Sequence, residues 1–111
     1  MSKNADIEIK VDLGEDQIPE NISWKSIQNK QGKWMDSKAM MVSFFDKESK
    51  DTLRIDLWTK DFQVMEMDRF FYYTLRGMTD TYLRATNNKE LSEEMRSFTE
   101  HFGKATGLIS S

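Results

Sequence analysis

The sequence predicts an α+β domain in which four strands form a mainly antiparallel sheet and two C-terminal helices pack on one face of it. Apolar and polar residues alternate in the first half of the chain, which is typical of half-buried strands. From residue 64 onward the apolar residues recur at spacings of three and four, which is typical of helices. The length of 111 residues fits one hydrophobic core, so residues 1 to 111 are predicted to form a single domain.

The first strand is predicted in the segment IEIKVDL, which begins at residue 7 and alternates apolar with charged side chains. A connection that contains the only proline leads to a second short strand, expected near Ile22 to Ile27. An antiparallel register that keeps one face apolar places Leu13 opposite Ile22 and Val11 beside Trp24.

The segment from 28 to 37, QNKQGKWMDS, is polar around Gly32 and is predicted to be a loop. Its two large apolar residues, Trp34 and Met35, have two interpretations. They either fold back onto the body of the domain or remain available to a partner.

The segment KAMMVSFFDKESKDTLRIDLW predicts a β-hairpin, because two runs of strand-forming residues flank the charged loop from 46 to 51. Pairing Phe45 with Thr52 sets a register in which six apolar residues lie on one face. The resulting cross-strand pairs are Phe44 with Leu53, Val42 with Ile55, and Met40 with Leu57. A slip of one residue would mix the two faces, so the pattern itself favours this register.

A first helix is predicted from Val64, with Thr59 or Asp61 as its N-cap. Its apolar positions are Val64, Met67, Phe71, Leu75, Met78, Tyr82 and Ala85. The helix is expected to end at Asn87 and Asn88, either of which can cap a second helix beginning near Lys89. The apolar positions of the second helix are Leu91, Met95, Phe98, Phe102 and Ala105. The two helices are expected to cover the sheet face that carries Met40, Val42, Phe44, Leu53, Ile55 and Leu57.

Composition excludes several classes of function. The net charge of −3 and the isoelectric point near 5.2 give no basic surface for a phosphate backbone, so nucleic acid is not an expected partner. The chain has no cysteine and therefore no disulfide, thiolate nucleophile or thiolate metal site. No apolar run has the length of a signal peptide or a membrane span, so a cytoplasmic protein without membrane insertion is expected.

No motif indicates a cofactor or a metal. His101 is the only histidine, and a lone histidine cannot build the several-ligand site that a metal requires. No second residue at a suitable spacing indicates a catalytic partner for it. Catalytic, cofactor-binding and metal residues are therefore all expected to be absent.

The strand TLRIDLW raises a separate question, because Arg54, Asp56 and Trp58 share the face opposite its apolar residues. Met41 and Phe45 of the neighbouring strand add apolar area to this face. One interpretation is a surface ion pair lying against aromatic groups, which contributes little to stability. A second is a protein-binding surface, extended by Trp34, because Arg, Trp and Met are enriched in interfaces. A third is that the same patch closes a homodimer.

A resemblance to a known family adds a biological setting. The block TLRIDLWTKD, the preceding KAMMVSFFD and the following MEMDRFFYYTLRGMTDTYLRAT resemble the gliding motility-associated GldC family of the Bacteroidetes. The amino-terminal EIKVDL and IPENISW fall in the same order as in that family. The chain departs from the family at Phe45, where Trp is expected, and at Gln63, where Pro is expected.

The resemblance implies a small cytoplasmic accessory protein of the gliding machinery, which moves bacteria over surfaces with cell-surface adhesins. It implies no enzymatic activity and carries over no catalytic or ligand-binding residue. The predicted function is therefore non-catalytic protein binding that assists gliding, with a partner in that machinery. The alternative is a small-ligand-binding or enzymatic domain with a pocket between sheet and helices, using Tyr72, Tyr73 or His101.

Overall fold

A computed structural model describes residues 4–26 and 32–111. The elements in chain order are β1 (Ile7–Leu13), β2 (Pro19–Ser26), β3 (Met35–Ser37), β4 (Ala39–Phe45), β5 (Thr52–Trp58), α1 (Val64–Thr86) and α2 (Lys89–Ala105). The chain divides into two compact units, a strand unit that ends at Phe62 and a helix unit from Gln63 to Ser111. The α+β class with two C-terminal helices is confirmed.

The predicted single sheet of four strands is wrong. β1, β2 and β3 form one antiparallel sheet in that order, while β4 and β5 form a separate two-stranded sheet. The unpredicted strand β3 lies within the segment predicted as a loop, and it pairs with β2 over only three residues. A three-residue strand is too short to display an alternating pattern, which is why periodicity missed it. Residues 28 to 31 of that segment lie outside the described residues.

The predicted register between the first two strands is wrong by two residues. Ile22 lies opposite Val11, and Trp24 lies opposite Ile9. A tight turn, in which the Gly14 amide donates to the Ile18 carbonyl at 3.0 Å, lets β2 begin at Pro19 instead of near residue 22. Because side chains alternate with period two, a shift of two residues leaves every side chain on its predicted face. Ile27, the predicted end of this strand, is outside the part of the chain that the structure describes.

Backbone and ionic contacts close the base of the β4–β5 hairpin and join it to β2 and to the turn before β2. The Thr59 amide donates to the Lys38 carbonyl at 2.8 Å, and the Lys60 amide donates to the Pro19 carbonyl at 3.3 Å. The Lys60 ammonium lies 2.7 Å from the Asp16 carboxylate, and this hydrogen bond lowers the pKa of Asp16. These contacts hold the two sheets of the strand unit beside each other.

The register of the central hairpin is confirmed in full. Phe45 lies opposite Thr52, and the pairs Phe44–Leu53, Val42–Ile55 and Met40–Leu57 occur as predicted. Phe44, Leu53 and Ile55 are nevertheless exposed. Coverage of this face by the helices concerns the relative placement of the two units, and it stays a prediction, as does the single domain.

The first helix begins at Val64 as predicted, but its N-cap is Gln63 and not Thr59 or Asp61. The Gln63 amide donates to Glu66 Oε1 at 3.1 Å, which is one half of a capping box. The Thr59 hydroxyl donates instead to the Asp61 carboxylate at 2.6 Å. These two side chains therefore hydrogen-bond to each other before the helix starts.

The link between the helices uses the two consecutive asparagines, as expected. Asn87 takes the left-handed conformation, with φ 56°, and its amide donates to the Leu83 carbonyl at 2.7 Å. Asn88 Oδ1 accepts from the Leu91 amide at 3.0 Å and caps α2.

The seam between the helices is made of small and polar residues rather than of the predicted apolar stripes. Its buried residues are Tyr72, Thr79, Ser92, Thr99 and Gly103. The Thr79 and Thr99 hydroxyls donate to carbonyls one turn earlier in their own helices, each at 2.9 Å, so their burial leaves these donors satisfied. The apolar stripes lie along one side of this seam, where Phe71, Met78, Leu91 and Phe98 are exposed.

Candidate protein-binding face

The structure brings five of the six predicted site residues together on one side of the β4–β5 hairpin. Cross-strand pairing places Ser43 opposite Arg54, Met41 opposite Asp56, and Phe45 opposite Thr52. We call this surface the Arg54 face and define it by Met41, Ser43, Phe45, Arg54, Asp56 and Trp58. Its residues share a side because strand side chains alternate, and both strands were predicted in the observed register.

A bidentate ion pair occupies the centre of the Arg54 face. Arg54 Nε donates to Asp56 Oδ2 at 3.1 Å, and Arg54 Nη2 donates to Asp56 Oδ1 at 2.7 Å. Arg54 Nη1 donates to the Ser43 hydroxyl. The hydrogen bond to Asp56 raises the pKa of Arg54, so the guanidinium remains charged. The hydrogen bonds to Asp56 and Ser43 orient it.

Ser43 is the one residue of this centre that the sequence did not single out. A serine on a strand gives no chemical signal of its own. The signal that identifies it is positional, because the predicted register already placed Ser43 on the same face as Arg54.

Two large aromatic side chains flank the ion pair. Phe45 is 71% exposed at the loop end of the hairpin, and Trp58 is 53% exposed at the opposite end of β5. Met41 lies half-buried between them on β4. Exposed aromatic residues around a fixed arginine are the composition that interfaces favour in their centres.

Trp34 belongs to a different surface. It comes directly before β3, and its ring lies 4.8 Å from Lys10 Nζ and 4.9 Å from Lys25 Nζ. Both distances are in the range of cation–π contacts. Lys25 also pairs with Glu8 at 3.4 Å, so Trp34 lies beside the charged residues of β1 and β2. The structure therefore groups Trp34 with the three-stranded sheet and not with Arg54.

The residues proposed for a ligand pocket lie in the helix unit. Tyr72 is buried at the seam, and Tyr73 is exposed with its ring in an edge contact 5.1 Å from that of Tyr72. His101 is exposed on α2, with its ring 6.5 Å from that of Phe98. Across residues 4–26 and 32–111, no group of three His, Asp or Glu side chains is placed to hold a metal ion. In the same ranges, neither helix has the length and apolar character that crossing a membrane requires.

The chain matches a known protein family. The sequence model of the family described as "Gliding motility-associated protein GldC-like" matches residues 19–108. No curated protein and no solved structure matches the chain. The matched region runs from the start of β2 past the end of α2, includes the whole Arg54 face, and spans most of the 111 residues. The chain therefore belongs to the GldC-like family of gliding motility-associated proteins.

Proposed function

We propose that this protein is a non-catalytic, cytoplasmic accessory protein of bacterial gliding, and that it acts by binding another protein through the Arg54 face. Family membership supports the association with gliding motility. The binding role is supported by one observation above all. Two large aromatic side chains remain exposed at the two ends of a fixed Arg54–Asp56 ion pair.

A surface ion pair alone does not account for this arrangement. Exposed pairs between arginine and aspartate are common and contribute little to stability, so the Arg54–Asp56 contact by itself needs no function. The hairpin, however, leaves Phe45 and Trp58 in water on the same face. Large apolar side chains grouped around a charged centre are typical of surfaces that bind other proteins.

The aromatic and the charged residues of the Arg54 face are expected to contribute differently to binding. Burial of the Trp58 and Phe45 rings against a partner supplies the favourable free energy, because apolar area removed from water is stabilising. The Arg54 guanidinium is already held by Asp56 and Ser43, so little side-chain entropy is lost when a partner contacts it. The charged pair then fixes the orientation of the partner more than it adds affinity. The matching partner surface has an apolar cleft bordered by hydrogen-bonding groups.

Cross-linked capture from a gliding bacterium that carries this protein tests the proposal. Wild-type protein, the Arg54→Ala/Trp58→Ala variant and the control Lys47→Ala would be used as baits in parallel. Lys47 is exposed at the tip of the same hairpin but outside the Arg54 face. Circular dichroism would verify that all three baits are folded.

The expected result is a protein captured by the wild type and by Lys47→Ala, and lost with the double variant. Equal capture by all three baits would contradict the proposal. A protein bound by the double variant as well as by the wild type would place the interface elsewhere on the chain.

A further inference from the structure

The outer edge of β5 is open to a further strand. Within residues 4–26 and 32–111, β5 pairs with β4 alone. This pairing continues without a bulge from Thr52 to Trp58, and the segment TLRIDLW contains no proline, glycine or lysine. Proteins protect their sheet edges with bulges, prolines and lysines, because an unprotected edge pairs readily with another strand. β5 lacks these protections and is therefore suited to pair along its second edge.

The hydrogen bonds at the two ends of the hairpin show which backbone groups this edge offers. The Asp46 amide donates to the Asp51 carbonyl, and the Thr59 amide donates to the Lys38 carbonyl, both at 2.8 Å. In an antiparallel ladder, hydrogen-bonded pairs alternate with pairs whose N–H and C=O groups point outward, and both bonds set the same alternation. The residues of β5 that direct these groups away from β4 are Thr52, Arg54, Asp56 and Trp58.

The helix unit has no strand to offer this edge. The backbone groups of α1 and α2 bond within each helix, and the amides from Thr106 to Ile109 donate to carbonyls of α2. A helix that covered the edge of β5 would exclude water and leave the outward N–H groups without acceptors, which costs free energy comparable to lost hydrogen bonds. A strand from outside the chain satisfies the same groups. The edge therefore fits an external strand better than it fits either helix of its own chain.

The sequence of β5 is complementary to itself. From Leu53 to Leu57 the order is apolar, positive, apolar, negative, apolar, with Ile55 at the centre. When two copies of β5 pair antiparallel with Ile55 opposite Ile55, Arg54 of each copy lies opposite Asp56 of the other. Outward-facing residues then pair with outward-facing residues, as a new ladder requires. Opposite charges directly across a strand pair are stabilising.

Neighbouring registers lack this complementarity. A slip of two residues places Arg54 opposite Arg54 in one direction and Asp56 opposite Asp56 in the other, and like charges directly opposite are destabilising. A slip of one residue pairs outward-facing residues with residues already bonded to β4, and it brings apolar side chains onto the charged face. The charges of β5 thus favour one register, and in that register the strand pairs with another copy of itself.

We propose that two copies of this chain pair through the outer edge of β5, with Ile55 opposite Ile55, and form one continuous antiparallel sheet in the order β4, β5, β5, β4. The two Arg54 faces lie side by side on one side of this sheet, because paired residues in a ladder project to the same face. The pairing uses the edge of β5 and not the Arg54 face. It does not rest on the proposed function.

Charge reversal in the purified full chain tests the pairing. The variants are Arg54→Asp and Asp56→Arg, and the control is Lys47→Glu, which changes an exposed charge in the hairpin loop. Sedimentation over a wide concentration range should give a dimer for the wild type and the control. Each reversal alone should dissociate at least tenfold more readily, because like charges then lie opposite each other.

An equimolar mixture of the two reversal variants should restore the dimer. One strand is then negative at both positions and the other is positive at both, so every cross-strand pair has opposite charges. Both variants lack the ion pair within the chain, so repair of that pair cannot explain the restoration. Circular dichroism would verify that each variant is folded.

Disulfide formation tests the register and does not depend on the charge variants. The chain has no cysteine, so Ile55→Cys introduces a single thiol. In the proposed register its Cα lies about 4.5 Å from that of its counterpart, within the range of a disulfide. Oxidised glutathione should therefore link Ile55→Cys into dimers. The matched control is Leu53→Cys, also exposed and on the same face, whose counterpart lies about 13 Å along the strand. It should give few dimers.

Three results would overturn the proposal. They are a wild-type monomer at every concentration, a dimer that survives both charge reversals, and equal cross-linking of Leu53→Cys and Ile55→Cys. The capture experiment for the Arg54 face requires no dimer, so failure of the β5 pairing and failure of the proposed function would be seen in different measurements.

Discussion

At the scale of single residues, some side chains of the Arg54 face are expected to supply affinity for the partner, and others are expected to set the partner's orientation. Trp58 offers the largest ring on this face and is half exposed, whereas Arg54 is already engaged by Asp56 and Ser43. Binding energy in protein interfaces is concentrated in a few large residues, with Trp and Arg prominent among them. We therefore expect Trp58 to be the residue on which partner binding depends most.

Trp58→Ala should raise the dissociation constant for the captured partner at least tenfold. This corresponds to a loss of about 1.4 kcal/mol of binding free energy. The reason is the loss of a large apolar contact at the interface. Titration calorimetry or surface plasmon resonance would measure the change, with Lys47→Ala as the control. An unchanged dissociation constant for Trp58→Ala would exclude Trp58 as a central contact.

Two glycines of the helix unit provide a matched test of the seam. A Cβ added at Gly103 would lie 2.6 Å from Tyr72 Cε1 and 3.0 Å from Ile109 side-chain atoms, whereas one added at Gly77 would meet nothing within 4 Å. Gly103→Ala should destabilise the protein by about 1–3 kcal/mol, because buried overpacking forces neighbours to move. Gly77→Ala should stabilise it by about 0.5–1 kcal/mol, because alanine loses less backbone entropy in a helix.

Urea unfolding followed by circular dichroism would measure both changes. The opposite signs make the comparison informative, since both substitutions add the same methyl group to a helix. Equal stabilisation by the two alanines would mean that Tyr72 does not pack against Gly103.

At the scale of elements, the β4–β5 hairpin depends on its loop as well as on its strands. The Asp46 carboxylate accepts from the Ser49 amide at 2.8 Å and from the Glu48 amide at 3.2 Å. The hydrogen bond from the Ser49 amide is the main reason that the pKa of Asp46 is lowered. The loop is therefore held best when Asp46 is ionised.

This loop predicts a pH dependence of stability. Because the folded-state pKa of Asp46 is lowered, its contribution is complete above the ordinary aspartate pKa and is lost as the pH falls through the lowered value. The free energy of unfolding should fall as the pH drops below about 4, and Asp46→Asn should reduce this slope. Asp16 and Asp61, whose pKa values are also lowered, should leave a residual slope. Urea unfolding at a series of pH values would measure the pH dependence of the free energy of unfolding. Identical slopes for wild type and variant would contradict this role of Asp46.

The strand pairs also differ in how well their registers can be predicted from the sequence. The central hairpin was predicted in its observed register because three consecutive apolar pairs would be broken by any slip of one residue. The first two strands show the same alternation of apolar and polar residues. Alternation determines which side chains share a face, but it does not distinguish two registers that differ by two residues. Their register is set by the turn at Gly14, which apolar periodicity does not report.

The N-cap of α1 and the seam between the helices depend on contacts that the spacing of apolar residues does not reveal. The N-cap at Gln63 is set by its hydrogen bond to Glu66, while Thr59 and Asp61 are better cap residues by type but bond to each other. The helix seam uses Thr79, Ser92, Thr99 and Gly103, which a hydrophobic pattern scores as polar or neutral. The ion pair of Arg54 and Asp56 could be predicted from their spacing of two residues, whereas the lysines around Trp34 come from two other strands.

At the scale of the whole molecule, the proposed function depends on the strand unit, which carries the complete Arg54 face. This face is mixed, with a charged centre between aromatic residues, as expected for binding a different protein.

The most direct test of the proposed function is made in the gliding bacterium itself. The chromosomal gene would be replaced by one that encodes Arg54→Ala/Trp58→Ala, and in a parallel strain by one that encodes Lys47→Ala. Protein abundance and the rate of spreading over a surface would be measured in both strains and in the wild type. Reduced spreading in the double variant, with normal protein abundance and normal spreading of the control, is the result expected if the Arg54 face binds a partner in gliding. Wild-type spreading by the double variant would contradict that role.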